Sequence, residues 1–146
     1  MDYFEEIDVG DSDSFGEYDV RREEVTTFAG QYDPQPIHTD PDAAEGSMFG
    51  GLVASGWHTA AMTMRLLVDH KLAGSGALGA VGVDSLRWPE PVRPGDTLSV
   101  RTEVLATEPF DAERGRVDIE VTTVNEHGEV VLSMVGKVLW RRKKST

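Results

Sequence analysis

A carboxylate and an imidazole lie five residues apart on one short segment of the chain, Asp33 and His38, with prolines at positions 34 and 36 between them. Proline fixes its own φ and restricts the residue before it, so the segment is expected to be a stiff, extended loop. An acid–base pair needs fixed geometry, which such a loop supplies. The spacing alone also fits a proline-rich turn with a capping Asp and a surface His, and by itself it favours that simpler interpretation.

A second candidate site lies at residues 54–57, where a long apolar stretch is about to begin. At Gly56 the missing side chain lets a ligand approach free backbone N–H groups, and the N-terminus of a helix favours negative charge. The alternative is that Gly56 only allows a helix and a loop to pack closely. The residue type and position leave both interpretations open.

The other histidines give weaker signals. His58 is interpreted as a satisfied core histidine on the same predicted helix, and His70 and His127 as helix-end and turn residues. No His, Asp and Glu set has metal-ligand spacing, and neither a glycine-rich phosphate loop nor a Gly-x-Ser-x-Gly segment occurs. With no cysteine in the chain, disulfides and thiol nucleophiles are excluded. We therefore expect neither a metal nor a cofactor.

The charge balance restricts the partners. Twenty-six acidic side chains against fourteen basic ones give a formal net charge of −12. Such a surface repels nucleic acid and anionic lipid, so neither is expected as a partner. Because the excess is spread along the chain, we expect adaptation to high salt, as in a halophilic protein. The N-terminus has no basic segment followed by an apolar run, which predicts a cytoplasmic protein.

Two helices should position the candidate residues. A short helix is predicted over residues 23–32, ending before the prolines, and Asp40 followed by Pro41 predicts a capped turn. A long helix is predicted over residues 52–70. Its apolar residues at helical spacing on one face are Trp57, Ala60, Ala61, Met64, Leu67, Val68 and Leu72. Since Met62 and Leu66 make other faces apolar too, something must wrap this helix.

The chain after Gly76 alternates apolar and polar residues over several segments, which predicts strands. Short turns between them indicate an antiparallel meander with one apolar face. The first 24 residues are rich in acids and predict an acidic lead-in, assigned to residues 1–15. The whole chain, 1–146, is thus predicted to be one α+β domain in which a curved sheet surrounds a central helix.

The segment 32–44 resembles the signature of the MaoC-like, (R)-specific enoyl-CoA hydratases, the hydratase 2 family. That pattern has an Asp, any residue, Asn, Pro, an aliphatic residue and His, followed by an Asp-Pro pair and small residues. Gly56, eighteen residues after His38, matches the glycine that this family uses as an oxyanion donor. Residues 86–92 and 94–98 resemble the family's first long strand and its Gly-Asp turn. The sequence departs from the pattern at Gln35, where Asn is usual, and at Ser55, where His is common.

The resemblance implies the hotdog fold, in which an antiparallel sheet wraps a long helix, and a homodimer whose sheets join edge to edge. It implies an acyl-CoA thioester substrate and a water held by Asp33 and His38. Asp33 would be the base, His38 would position the water and relay a proton, and the Gly56 N–H would stabilise the enolate oxygen. Residues predicted to contact the substrate are Gln35, Ser55 and Trp57.

Two alternatives stay open. A hotdog acyl-CoA thioesterase uses a lone carboxylate near the helix and does not need the Asp33–His38 pair. A non-catalytic acyl-CoA-binding hotdog protein would not need Asp33, His38 and Gly56 together. Arg87, Arg93 and Lys71 are candidates for the CoA phosphates by charge alone.

Overall fold

The computed structural model describes residues 2–144. Within them, five antiparallel strands form a sheet in the order β1-β3-β4-β5-β2. The strands are β1 (Ser12–Asp19), β2 (Ala77–Arg87), β3 (Thr97–Pro109), β4 (Arg114–Val124) and β5 (Val130–Arg141). The helices are a 3₁₀ turn (Phe4–Glu6), α1 (Arg22–Tyr32), α2 (Pro36–Thr39), α3 (Pro41–Glu45) and α4 (Gly56–Leu67), which continues as a π-helical turn (Val68–Leu72).

The sheet curves around α4, and the core lies between them. Apolar residues that alternate along the central strands, such as Val100, Val117 and Leu132, are buried together with Leu66 and Leu67 of α4. The alternation buries one face of the central strands β3, β4 and β5, as the sequence predicted. This arrangement confirms the α+β class and the hotdog fold.

The predicted meander is correct only for the three central strands, β3, β4 and β5. β2 pairs with the outer side of β5, so β2 and β3 lie at different places in the sheet although they are consecutive in the chain. Their connection contains Pro89, Pro91 and Pro94, which favour an extended crossing over a tight hairpin. It passes the segment before α4, where the Ala54 N–H donates to the Val92 carbonyl.

The acidic N-terminal segment is part of the sheet, because Ser12–Asp19 forms β1 on the outer side of β3. Acidic side chains of β1 point to solvent, while Phe15 and Tyr18 pack against the core. A bulge at Gly16 (φ +89°) brings the backbone against α4, where a Cβ would lie 2.8 Å from the Leu66 side chain. The strand was not predicted because most residues of the segment are acidic or polar, and only Phe15 and Tyr18 face the core.

The first helix and the capped turn are confirmed. α1 spans Arg22–Tyr32, and the Asp40 carboxylate accepts from the Asp42 and Ala43 N–H groups at the start of α3. Among residues 2–144, no helix combines the length and apolar character that crossing a bilayer requires.

The long helix begins later than predicted, at Gly56, because residues 52–55 are extended and hydrogen-bonded to the Ile37 and Val92 carbonyls. Its buried face also differs from the predicted one. The buried side chains of α4 are His58, Thr59, Met62, Thr63, Leu66 and Leu67, of which His58 faces α1. Trp57, Met64 and Val68 remain exposed. A helix that is apolar on two sides does not reveal from its spacing which side the sheet covers.

Candidate active site

The predicted acid–base pair flanks the turn between α1 and α2. Asp33 lies at the C-terminal end of α1 and His38 lies inside α2, so the predicted extended loop is correct only up to Gln35, because Pro36 begins a short helix. α1 ends at Tyr32 because Asp33 precedes Pro34, and its backbone leaves the helical region (φ −153°, ψ 68°). Pro36 then begins α2, whose third residue is His38. The prolines thus turn the chain sharply between two helices and bring both functional side chains to the same side.

Asp33 and His38 face each other, with His38 Nε2 3.4 Å from Asp33 Oδ2. The other ring nitrogen, Nδ1, lies 2.8 Å from the Val53 carbonyl oxygen. Since a carbonyl only accepts, Nδ1 carries the hydrogen, so that in the neutral form of the ring Nε2 presents a lone pair. The buried imidazole is therefore held in one tautomer and one orientation, with an acceptor nitrogen next to an acceptor carboxylate.

Two neutral donors hold the Asp33 carboxylate. Gln35 Nε2 donates to Oδ1 and Ser55 Oγ donates to Oδ2, each over 2.7 Å. These hydrogen bonds lower the pKa of Asp33 against the opposing effect of burial, and the His38 ring lowers it further when it is protonated. The carboxylate is therefore ionised at neutral pH. Gln35 and Ser55 were predicted to contact the substrate, but both donate hydrogen bonds to Asp33. The Gln35 side chain, one methylene longer than the Asn usual in the resembled pattern, makes such a bond.

Gly56 is the first residue of α4, so its N–H has no partner inside the helix. Ser55 Oγ instead accepts from the next N–H, that of Trp57. A Cβ at position 56 would lie 2.6 Å from the Trp88 indole, so only glycine lets this ring rest against the helix. Trp57 in turn packs edge-on against Trp88, with ring centroids 5.1 Å apart.

A cavity of about 560 Å³ joins these groups. Asp33, Gln35, His38, Gly56 and Trp57 line it, so the structure brings together five of the six predicted site residues. Ser55 is buried behind Asp33. The remaining wall is mostly apolar, from Ile37, Met48, Phe49, Trp88 and Pro91. Such a cavity can bind an apolar group beside an acid–base pair and a helix N-terminus.

Three contributions to the site were not predicted from the sequence. The Val53 carbonyl sets the tautomer of His38, and Trp88 walls the cavity beside Gly56. Arg93, considered for phosphate binding, donates to the Phe49 carbonyl over 2.7 Å and so holds the loop that lines the cavity. A backbone carbonyl carries no sequence signal, and Trp88 is recognisable only once the crossing loop is placed.

His58 is buried on α4, as expected of a core histidine, but it is not fully satisfied. Within the described part of the chain, its Nδ1 has no hydrogen-bond partner. His70 stacks on Phe15 at the end of the helix, and His127 lies in the β4–β5 turn. Across residues 2–144, no group of three or more His, Asp or Glu side chains is arranged to hold a metal ion.

Comparison with known proteins gives a consistent set of matches. Residues 9–141 match the family model described as MaoC like domain. The solved structure of a MaoC-like dehydratase from Rhodospirillum rubrum is 45% identical, with a TM-score of 0.89, over 98% of this chain and 99% of that one. The 3-hydroxyacyl-thioester dehydratase Z of Mycobacterium tuberculosis is 33% identical over 73% of this chain and 71% of its own. An (R)-specific enoyl-CoA hydratase of R. rubrum is 31% identical over 75% and 74% of the two chains.

Proposed function

Because the chain belongs to the MaoC-like domain family, we propose that it is a hydro-lyase that hydrates trans-2-enoyl-CoA to (R)-3-hydroxyacyl-CoA, or catalyses the reverse dehydration. One observation carries this proposal: Asp33 Oδ2 and His38 Nε2 face each other across 3.4 Å at a cavity that also reaches Gly56. Relatives named as an (R)-specific enoyl-CoA hydratase and a 3-hydroxyacyl-thioester dehydratase support the reaction class.

The Asp33–His38 geometry suits a bound water. An ionised carboxylate and a bare Nε2 both accept, so a water that donates one hydrogen to each satisfies both. Its oxygen lone pair then points away from the pair, towards the Cβ of a bound enoyl thioester. The alternative is a protonated imidazole that donates directly to Asp33, which leaves no place for the water.

The reaction then follows the charges. Asp33 takes a proton from the water as the water oxygen bonds to Cβ, and the electrons of the Cα–Cβ double bond move to the thioester oxygen. When the enolate collapses, the proton that Asp33 took passes to His38 Nε2 and from there to Cα. Asp33 and His38 return to their starting states, and one water is added in total. The same groups in reverse eliminate water.

The Gly56 N–H stabilises the enolate oxygen in this mechanism by donating a hydrogen bond to it. This N–H has no intrahelical partner and lies at the positive end of the α4 dipole. A single preorganised donor of this kind lowers the barrier by about 3 kcal/mol in other enzymes. The Trp88 indole lines the cavity beside Gly56, and an apolar wall at this position strengthens a hydrogen bond to the enolate.

Crotonyl-CoA tests the proposal. Hydration removes the absorbance of the conjugated enoyl thioester without releasing thiol, and an (R)-specific 3-hydroxyacyl-CoA dehydrogenase should oxidise the product. Release of free thiol at the rate of substrate loss would identify a thioesterase. Binding without either change would identify an acyl-CoA-binding protein and reject the enzyme proposal.

We also propose that two copies assemble through β2. Its outer edge has no partner strand within the described residues, and it exposes Leu78 (58%), Val81 (59%) and Val83 (49%). The exposed Met64 of α4 lines a pocket together with Leu78 and Val83 and so extends this apolar area. An unprotected apolar edge invites pairing, and a second copy of the same edge would cover it.

Light scattering tests the assembly. The wild type should have the mass of a dimer, and Val81→Arg should give monomers because the charge would be buried between the copies. Val9→Arg is the matched control, since Val9 is equally exposed (61%) but lies outside β2. A wild-type monomer at micromolar concentration would reject the dimer.

A further inference from the structure

A polar cluster outside the cavity joins one strand and two helices. The His58 ring of α4 is 3% exposed, and its Nε2 lies 3.4 Å from Glu24 Oε1 on α1. The Tyr18 hydroxyl of β1 donates to the same oxygen. One carboxylate thus connects β1, α1 and α4.

The protonation states fit this arrangement. Burial lowers the pKa of His58, against the opposing effect of the Glu24 charge, so the ring is neutral at neutral pH. Burial and the Glu24 carboxylate raise the pKa of Tyr18 to about 12, while the charges of Arg21 and Arg65 act in the other direction. The Glu24 carboxylate is therefore faced by a phenol O–H and by the Nε2–H of a neutral imidazole.

The face of the His58 ring also stacks on an aromatic side chain of α1. Phe28, one turn after Glu24 on α1, stacks on it with centroids 4.6 Å apart and an angle of 10°. Nδ1 is left buried without a partner among the described residues, which native proteins seldom tolerate. The contacts that the His58 ring makes here are therefore those with Glu24 and Phe28 of α1.

The end of α1 and the start of α4 also meet at the Asp33 carboxylate, the proposed catalytic base. Asp33 directly follows α1, and Ser55, which donates to Asp33 Oδ2 over 2.7 Å, lies three residues before His58. If α1 slid or rolled on α4, the Glu24–His58 contact and the Asp33–Ser55 bond would change together. We propose that Glu24 and His58 are a positioning pair that sets the place of the Asp33 carboxylate in the site. For its kinetic consequence, this inference rests on the proposed function.

Glu24→Ala is the main test, because Glu24 is partly exposed and Ala suits a helix. Glu24→Gln keeps an acceptor for Tyr18 and His58 and serves as the conservative rescue. Glu23→Ala, the neighbouring exposed acid of α1, is the matched control. Phe28→Leu, which removes the stacking but keeps an apolar side chain, is an independent second variant.

Two readouts separate positioning from general stability. The first is the titration of the Asp33 carboxyl by NMR, which needs no substrate. We expect Glu24→Ala and Phe28→Leu to raise the Asp33 pKa towards its ordinary value, because Ser55 no longer donates well. The second is hydration of crotonyl-CoA, where kcat should fall about tenfold with KM changed less than about twofold.

Glu24→Gln should recover most of both readouts, and Glu23→Ala should behave as wild type. A folded Glu24→Ala protein with wild-type Asp33 titration and wild-type kcat would overturn the inference, as would a Phe28→Leu protein with both unchanged. If the wild type does not hydrate enoyl-CoA, the proposed function fails, and the titration of Asp33 alone still decides whether the pair positions it.

Discussion

Both oxygens of the Asp33 carboxylate accept hydrogen bonds from neutral side chains, Gln35 and Ser55. These donors stabilise the ionised form of the Asp33 carboxyl, and because they are neutral they place no positive charge beside it. The carboxylate is thus kept ionised and oriented, and the Val53 carbonyl, 2.8 Å from Nδ1, holds the His38 ring in place with Nε2 towards Asp33. The site resembles a pair of acceptors prepared for one donor molecule.

At the residue scale, the pair should act as a unit. Asp33→Asn and His38→Ala are each expected to lower kcat on crotonyl-CoA by about a hundredfold or more. The double variant should be little worse than either single one, because in the proposed mechanism both residues hold the same water. Steady-state kinetics measures this, with circular dichroism as the control for folding. Near-wild-type turnover of either single variant, or full additivity, would reject a shared water.

Ser55→Ala should change the pH dependence in a defined direction. The hydrogen bond lowers the Asp33 pKa below its ordinary value of about 3.9, so activity should persist into acid until Asp33 is protonated. Removing Ser55 Oγ raises that pKa, and the acid limb of kcat/KM should move to higher pH. Ser47→Ala, which removes a serine hydroxyl bonded to the Ala44 carbonyl, is the control. An unmoved acid limb in Ser55→Ala would show that this bond does not tune the base.

At the element scale, the first residue of α4, Gly56, packs against the indole of Trp88, which lies in the loop between β2 and β3. Trp88 lies so close to Gly56 that a Cβ would be 2.6 Å from the indole. The loop, the helix N-terminus and the cavity wall are therefore one packing unit, although Trp88 is 32 residues from Gly56 in the chain. This explains why a glycine is needed here for packing.

Gly56→Ala should thus be destabilised by overpacking, by about 1–3 kcal/mol. Trp88→Ala should remove most of this penalty in the double variant, because the clash needs both side chains. Thermal or denaturant unfolding of the two single variants and the double variant measures the coupling. If the effects of the two substitutions simply add, the Trp88 contact is not the reason for Gly56.

At the scale of the whole molecule, acidic side chains meet across the outer face of the sheet. Glu103 on β3 lies directly opposite Glu120 on β4, and both are exposed. Like charges in such a pair are destabilising. With a net charge of −12, repulsion of this kind acts over the whole surface when salt is low.

We therefore expect Tm to rise with KCl. The screening length falls from about 10 Å at 0.1 M to about 3 Å at 1 M, so most of the gain should be complete near 1 M. Glu120→Gln should raise Tm at low salt and reduce its dependence on KCl, because it removes one local repulsion. Differential scanning calorimetry over a KCl series checks both. A Tm independent of KCl would refute the proposed high-salt adaptation.

The sequence by itself determined the features whose causes are local. Pro34 ends α1 before the site, and Asp40 before Pro41 caps α3, both as predicted, whereas Pro36 begins the short helix α2 that carries His38 instead of extending the loop. Alternating apolar residues predicted β3, β4 and β5, since a strand with one buried face repeats every two residues. The motif around residues 33–38, with Gly56, also indicated the family.

Only the tertiary structure decided how distant segments meet. The strand order places β2 and β1 at opposite edges, and the sheet covers the Thr59–Thr63 side of α4 and not the Trp57–Met64 side. The Ser55–Asp33 bond joins residues 22 apart, and His58 meets Glu24 across a comparable separation. Such contacts depend on how the elements pack around a shared core, and neighbouring residues in the chain contain no signal for them.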